Sequence, residues 1–387
     1  MVALSAVTAC GGDGSDAHRV IRVPGDAGTI QAAVDRARPG DLVLIAPGTY
    51  HESVSVRTER VTLRGEDRNA VVLDGGDSKL NGIDVQADGV AVENLTIHGY
   101  RQSGLLFNGG TEPDGTVDPA VAYGTDGHVL NGYRASYVTS YDNGTYGIYA
   151  FASTNGVIEE SYVSGQPDSG VYVGQCRPCN VVVRHVVAER NAIGYYGTNA
   201  SGGVYVIDSI FRRNRLGLTP NSQKMEQLSP QIETVLAGNL VEDNDDPDTP
   251  VIPRGFFGGG IAIGGGTRNI VVRNRVTGHD FFGIGLVSLN PFEPENNRVE
   301  GNVLAGNGTD LVYLPGSSVH TTKGNCFVGN TFTTSVPDGI EQAMACDPGG
   351  DHDVSLPGAT QPPAPAGVDY RSVAAPPAQP TMPGDPA

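Results

Sequence analysis

Eight glycines, Gly82, Gly104, Gly147, Gly170, Gly194, Gly217, Gly260 and Gly283, each precede a short alternating run, at intervals of 22, 43, 23, 24, 23, 43 and 23 residues. Five of the seven intervals lie within one residue of 23, and each 43 is one such repeat carrying 20 extra residues. A fixed period of this length marks a chain that stacks one supersecondary unit on the next, since strands this short cannot bury their own apolar side alone. The repeats VVVRHVVAERNAIGYYG, VYVIDSIFRRNRLGLTP and IVVRNRVTGHDFFGIGL share an apolar strand, a polar corner, the glycine and a second strand. A coil of about 23 residues with three short strands and three corners is the unit of a right-handed parallel β-helix, with rungs about 4.8 Å apart. The reading is therefore all-β: one single-stranded solenoid of about ten rungs, roughly 48 Å long. Length alone would argue for two or three domains. The repeat merges them, and the 54 glycines and 26 prolines fit many tight corners rather than helices.

The two-residue period of a strand assigns a direction to each residue after a marker glycine. Ile83, Leu105, Ile148, Val171, Tyr195, Leu218, Ile261 and Ile284 point inward, and Asp84, Leu106, Tyr149, Tyr172, Tyr196, Thr219, Ala262 and Gly285 point outward. Asn191, Asn214 and Asn307 stand three residues before their strands, with Asn143 shifted by one. They predict a corner ladder of stacked asparagines that accept left-handed backbone and bond along the axis.

Open rungs are sheet edges and need covers. Thr29–Arg38 places Ile30, Ala33, Val34 and Ala37 on one face of a helix stopped by Pro39-Gly40, predicting an N-terminal capping helix. Residues 20–346 form the solenoid in this reading, and the proline-rich segment 347–387 is a tail that is extended, disordered or laid along the coil. Residues 1–19 resemble a shortened signal with the lipobox of bacterial lipoproteins: an apolar run, small Thr8 and Ala9, then Cys10 and a glycine-rich acidic tether. That resemblance implies lipidation of Cys10 and a surface location, although a basic n-region is missing.

The remaining cysteines are even in number, which in an exported chain favours two disulfides, Cys176–Cys179 and Cys326–Cys346. Cys-Arg-Pro-Cys also resembles a thioredoxin-type redox motif, but a strand-like run follows it where that chemistry needs a helix N-terminus. A zinc site would need further ligands that the neighbourhood does not offer.

With 25 basic against 43 acidic residues the formal net charge is -18, which repels phosphate backbones and disfavours nucleic acid as a partner. No run of 18 or more uncharged apolar residues occurs, so contact with a membrane is expected only through a lipid anchor. A monomer is expected.

The segment TIQAAVDRARPGDLVLIAPGTYHESVSV, followed by VTLRGEDRNAVVLDGG, resembles the N-terminal turns of secreted β-helix proteins of the pectin-lyase-like superfamily. Pectin methylesterases, the periplasmic maturation protein of nitrous oxide reductase, and bacterial proteins with carbohydrate-binding and sugar-hydrolase repeats belong there. The resemblance covers roughly residues 20–340 and implies the fold, not an activity. The QDTL-like and DFIFG-like strands of pectin methylesterases, the Asp-Pro-His of alginate epimerases and the Arg-x-Pro-x-x-Arg of pectate lyases do not occur. For the Gly-His-Gly of polygalacturonases the nearest string is Thr277-Gly278-His279-Asp280, which lacks the second glycine.

Tyr149, Tyr172 and Tyr196, extended by Phe151, predict an exposed aromatic stack on consecutive rungs on which a sugar ring could lie. The competing reading covers these rings with the extra segments at about 108–131 and 219–258. If there is catalysis, by a polysaccharide lyase or glycoside hydrolase, carboxylates beside the stack should carry it. Asp168, Glu189, His279 and Asp280 are the candidates by position. No cofactor is expected, although the run Asp243, Asp245, Asp246, Asp248 offers hard oxygen ligands for calcium. Two functions follow: an exported, lipid-anchored protein that binds and processes a polysaccharide, or a non-enzymatic envelope scaffold, adhesin or periplasmic maturation-type factor.

Overall fold

A computed structural model describes residues 18–110, 129–251 and 256–384; Cys10 and most of the 108–131 segment lie outside them. The chain winds as a coil whose strands all pair in parallel with the strand one turn away. One rung shows the pattern: Val181–Arg184 forms the first face, Val187–Glu189 the second and Ile193–Thr198 the third. The third face is a sheet of 11 strands from Val54–Val56 to Ser335–Val336. The first two faces merge into a 20-stranded sheet because Val90–His98 and Leu130–Tyr141 run through the corner between them.

The interior follows the two-residue alternation. Ile83, Leu105, Ile148, Val171, Tyr195, Leu218, Ile261 and Ile284 are all fully buried, and the register aligns each with its counterpart on the next rung, as in Ile148↔Val171 and Val171↔Tyr195. The marker glycines have a steric cause. A Cβ on Gly194 would sit 2.6 Å from the Gly217 carbonyl oxygen, and one on Gly217 would sit 2.4 Å from that of Gly260. Each marker approaches the backbone of the next rung where no side chain fits.

Asparagine ladders line all three corners, where the sequence reading placed one. In the ladder that was foreseen, the Asn191 side chain donates to Asn214 Oδ1 (3.0 Å) and that of Asn214 to Asn244 Oδ1 (2.8 Å). A second ladder runs through Asn239, Asn274, Asn302 and Asn330, and a third through Asn269, Asn297 and Asn325. One detail differs from expectation. The left-handed residue is the one before the asparagine, as at Arg190 (φ 57°), Arg213 (φ 52°) and Asp243 (φ 49°). The turn is made there, so the following asparagine can aim its amide along the axis and accept a backbone N–H from the rung before, as Asn214 Oδ1 does from Asn191 (2.9 Å).

The N-terminal helix spans Ile30–Val34, shorter than the ten residues expected, and continues as i→i−3 turns through Ala37. Ile30, Ala33, Val34 and Ala37 are buried as the periodicity requires. Thr29 Oγ1 accepts from Ala32 N–H, and the Glu52 carboxylate accepts from Ile30 and Gln31 N–H, satisfying the free donors of the first turn. Both disulfides form, Cys176–Cys179 and Cys326–Cys346, each with 4.8 Å between Cα atoms.

After Cys346 the chain returns along the outside of the coil. Arg215 donates to Pro365 O (2.5 Å), Val368 N–H to Thr249 O (3.0 Å), and Thr381 to Asn94 Oδ1 (2.9 Å). Arg68, buried on the coil, holds the far end by donating to Pro380 O (2.9 Å) while also binding Val138 O and Thr139.

Replacing Asn274 by Ala removes an acceptor for Asn239 N–H and Nδ2–H and a donor to Leu236 O and Asn302 Oδ1. Denaturant unfolding should show a loss of about 3 kcal/mol, the cost of leaving several buried polar groups unpaired. An unchanged midpoint would mean that the ladder contributes nothing to stability.

Candidate functional site

The tyrosines stack in the predicted register: Tyr149 pairs with Tyr172 and Tyr172 with Tyr196 on the outer side of the third face. Their ring centroids lie 4.8 Å and 5.7 Å apart, each pair edge to face. They do not form an open platform. Tyr149, Tyr172 and Tyr196 are only 8%, 2% and 4% exposed. The cover is part of the extra length between Gly217 and Gly260. That length is not one insertion, because Leu216–Asn221, Thr234–Ala237 and Leu240–Glu242 are regular rung strands. The excess divides into residues 222–233, which fold over the tyrosines, and residues 243–258.

The cover is held at several points. Ser222 Oγ donates to Gly265 O (2.7 Å) and accepts from Gln231 N–H (2.9 Å), closing its base. Asn199 accepts from Gln223 N–H and donates to Gln223 O and Glu226 O. Arg177, between the paired Cys176 and Cys179, donates to Leu228 O (2.6 Å) and Pro230 O (2.5 Å).

Between cover and face lies a cleft of about 250 Å³, lined by Tyr146, Tyr149, Asp168, Tyr172, Tyr196 and Glu226 among others. The Tyr172 hydroxyl donates to Glu226, and Gln223 Nε2 donates to the Tyr196 hydroxyl. Tyr146 stacks on Tyr149 with centroids 4.2 Å apart. Burial pushes the Tyr146, Tyr149 and Tyr172 hydroxyls well above their ordinary pKa; the charge of Glu226 pushes all three the same way, and that of Asp168 pushes Tyr146 and Tyr149.

Of the residues singled out from sequence, Asp168 lines this cleft with the three tyrosines. Phe151 extends the stack, 5.8 Å from Tyr149, but is fully buried and does not line the cleft. Glu189 belongs to the second face, where it accepts from the Tyr162 hydroxyl (2.6 Å) and Arg212 Nε (2.6 Å). Burial alone would raise its pKa, but those two partners hold the carboxyl below its ordinary value. His279 takes the place of an asparagine in the ladder: Asn244 Nδ2 lies 3.1 Å from Nε2, and Nδ1 lies 2.8 Å from Asn307 Oδ1. Since an amide can only donate through nitrogen and accept through oxygen, the ring is neutral with its proton on Nδ1. Asp280 is exposed, its N–H donating to Asp245 Oδ2 (3.1 Å). Glu189, His279 and Asp280 therefore serve the scaffold or its surface and do not join Asp168.

In the acidic run, Asp245 is pushed up to about 6 by burial and by the charges of Asp280 and Asp243. Asp246 accepts from Asp248 N–H (2.9 Å). Among the described residues no three His, Cys, Asp or Glu side chains converge as metal ligands.

Sequence reasoning missed Tyr146, Gln223 and Glu226. Tyr146 could have been found, being an aromatic one residue before marker Gly147 and so on the same strand. Glu226 had no signal beyond the excess length of its segment.

A three-cornered parallel coil with a helix over its first turn defines a right-handed parallel β-helix. The chain belongs to the NosD family: residues 124–342, more than half its length, match the family described as periplasmic copper-binding protein (NosD). The A-module of mannuronan C-5 epimerase AlgE6 from Azotobacter vinelandii shares the fold at 15% identity and a TM-score of 0.51, over 79% of this chain and 90% of that one. Pectate lyase Pel9A does so at 14% identity and a TM-score of 0.51, over 82% and 78%. No curated protein sequence matches the chain.

His279 supplies a pH test. Burial lowers its pKa to about 4, against 6.5 for a free side chain. The unfolded chain thus binds a proton between those values that the folded one refuses, so stability present above pH 6.5 is lost as pH falls toward 4. His279→Asn, which restores the ladder amide, should reduce the loss between pH 7 and pH 4.5 by on the order of 2 kcal/mol. An unchanged pH profile of urea midpoints would contradict a neutral ladder histidine.

Proposed function

We propose that this protein is an exported β-helix protein that binds a polysaccharide, gripping part of the glycan in the covered tyrosine cleft. The observation that carries this reading is the convergence of four tyrosines from three consecutive rungs with Asp168 and Glu226 in one cleft. Aromatic rings accept the apolar face of a pyranose, while carboxylates and phenols accept and donate to its hydroxyls. A cleft of about 250 Å³ is near the small end for ligand sites, which suits a single ring or a chain end better than a long segment. Export is supported by the periplasmic family and by the two disulfides. Lipidation at Cys10 would hold the protein at the membrane by an acyl anchor.

The family description names copper. The described residues do not fit that ion: four of the five cysteines are in disulfides, and no group of metal-binding side chains converges. No step through copper is derived. If the bound glycan is processed, Asp168 and Glu226 are the carboxylates placed to exchange protons with it.

A glycan array identifies ligands. Against the best of them, Tyr149→Ala or Tyr172→Ala should weaken binding about five-fold, the scale of one aromatic contact. The double variant should weaken it further though not additively. Full affinity in a folded double variant, by calorimetry and circular dichroism, would remove the cleft as the binding site.

A further inference from the structure

The outward column of the third face changes size along its length. After Tyr149, Tyr172 and Tyr196 the register continues through Thr219, Ala262 and Gly285, so three small residues follow three large ones. Gly285 has no room for a side chain, since a Cβ there would lie 3.0 Å from both Phe282 Cε2 and Val312 Cγ2. Where the column shrinks, a second recess of about 310 Å³ opens, beside the tyrosine cleft of about 250 Å³. Thr219 and Ala262 lie in it, and hydrocarbon from Phe256, Phe281, Phe282, Leu289 and Leu314 surrounds them. Phe281 and Phe282 meet at a tilt, with centroids 4.8 Å apart. Phe256, Phe281, Leu289 and Leu314 are only half-buried, so apolar surface faces the recess. The returning tail adds Ala359 and Gln361 to its wall.

Polar side chains in this wall already serve the protein. Asn221 donates to Thr219 O (3.0 Å) and accepts from Thr198 and Gln223, and Ser288 Oγ donates to Glu293 Oε1 (3.1 Å). A sugar ring placed here would bury hydroxyls against phenylalanine and leucine, and each one left unpaired costs binding. A hydrocarbon chain gains instead, because it removes apolar surface from water on both sides of the contact. The recess is continuous with the tyrosine cleft, since Tyr196 lines both. One ligand can therefore place a ring among the tyrosines and a chain among the phenylalanines.

We infer that the recess receives an acyl or alkyl chain carried on the glycan, which makes the ligand an acylated saccharide. The inference rests on the polysaccharide reading above and names the class of saccharide. The two halves of the outward column divide the work: large rings hold the sugar, and small residues leave space for the chain.

Calorimetry on the full chain tests it with methyl, hexyl, octyl and decyl maltosides below their micelle concentrations, and with octanol. Affinity should rise about four-fold for each methylene that enters the recess, and the heat-capacity change of binding should grow more negative with chain length. Octanol should bind about ten-fold more weakly than octyl maltoside, because sugar and chain act as linked groups. Ala262→Phe fills the recess and Phe281→Ser makes its rim polar. Each variant, folded by circular dichroism, should flatten the dependence on chain length; Phe281→Ser answers the same question should Ala262→Phe not fold. Equal affinities across the series, or the full chain-length gain in a folded variant, would overturn the acyl-chain assignment, and a ligand found on the glycan array would leave the polysaccharide reading standing. Octanol binding as tightly as octyl maltoside would overturn the assignment too, since the chain would then be recognised without its sugar. Binding of no maltoside, and of no glycan on the array, by folded protein would overturn both.

Discussion

The hydrogen bond from one corner amide to the next, repeated along the axis, is the constraint on which the rest of this structure depends. A rung has no hydrophobic core of its own and no hydrogen-bond partner for its backbone except the rungs above and below. At a corner the strand ladder breaks, so a buried N–H would be orphaned there. Asn214 shows the remedy: its Oδ1 accepts from the Asn191 backbone and side chain, and its Nδ2 donates to Ala188 O and to Asn244 Oδ1. Each amide satisfies groups on both sides, and every rung depends on its neighbours. The marker glycines work to the same end, allowing the backbones to approach to a distance that a methyl group would prevent.

A periodic structure has to stop somewhere, and each end stops with a specific device. At the first turn, Glu52 satisfies the helix N-terminus that lies over the opening. At the last, Glu341 accepts from both the backbone and the side chain of Asn330, ending the second ladder on a carboxylate. Ile340 and Met344 close the core beneath it. The returning tail then ties distant rungs together, because Arg68 binds residues from two later turns and the tail's Pro380 at once.

The site arises where the periodicity is interrupted. Regular rungs display side chains in straight columns, which is why Tyr149, Tyr172 and Tyr196 align. A column by itself is a surface. It becomes a cleft because residues 222–233 depart from the coil after one strand of the third face and rejoin it before the next strand of the first. The glutamate that meets the tyrosines in that cleft comes from the excursion, and not from the coil. Solenoids can thus change ligand chemistry by changing an insertion while the stack of rungs is left alone.

Much of the coil was legible because its determinants are local or strictly periodic. The spacing of the marker glycines, the alternation behind each of them and the Asn191–Asn214 corner needed only the repeat and the two-residue strand period. The other two ladders were legible too, in Asn269, Asn297 and Asn325 and in Asn274, Asn302 and Asn330, each spaced by 28, a longer period than the one followed. What the sequence could not show was anything resting on contacts between parts of the chain with no common period. Burial of the tyrosines depends on Arg177 and Asn199 binding carbonyls on a segment 24 to 53 residues away. His279 reads as a catalytic candidate by its position at a corner, and its hydrogen bonds to Asn244 and Asn307 make it a ladder member instead. The sequence by itself determined the rung and the direction of its side chains, because those follow from steric period. Tertiary structure decided which outward residues meet water, because a non-repeating segment docks wherever scattered hydrogen-bond partners happen to converge.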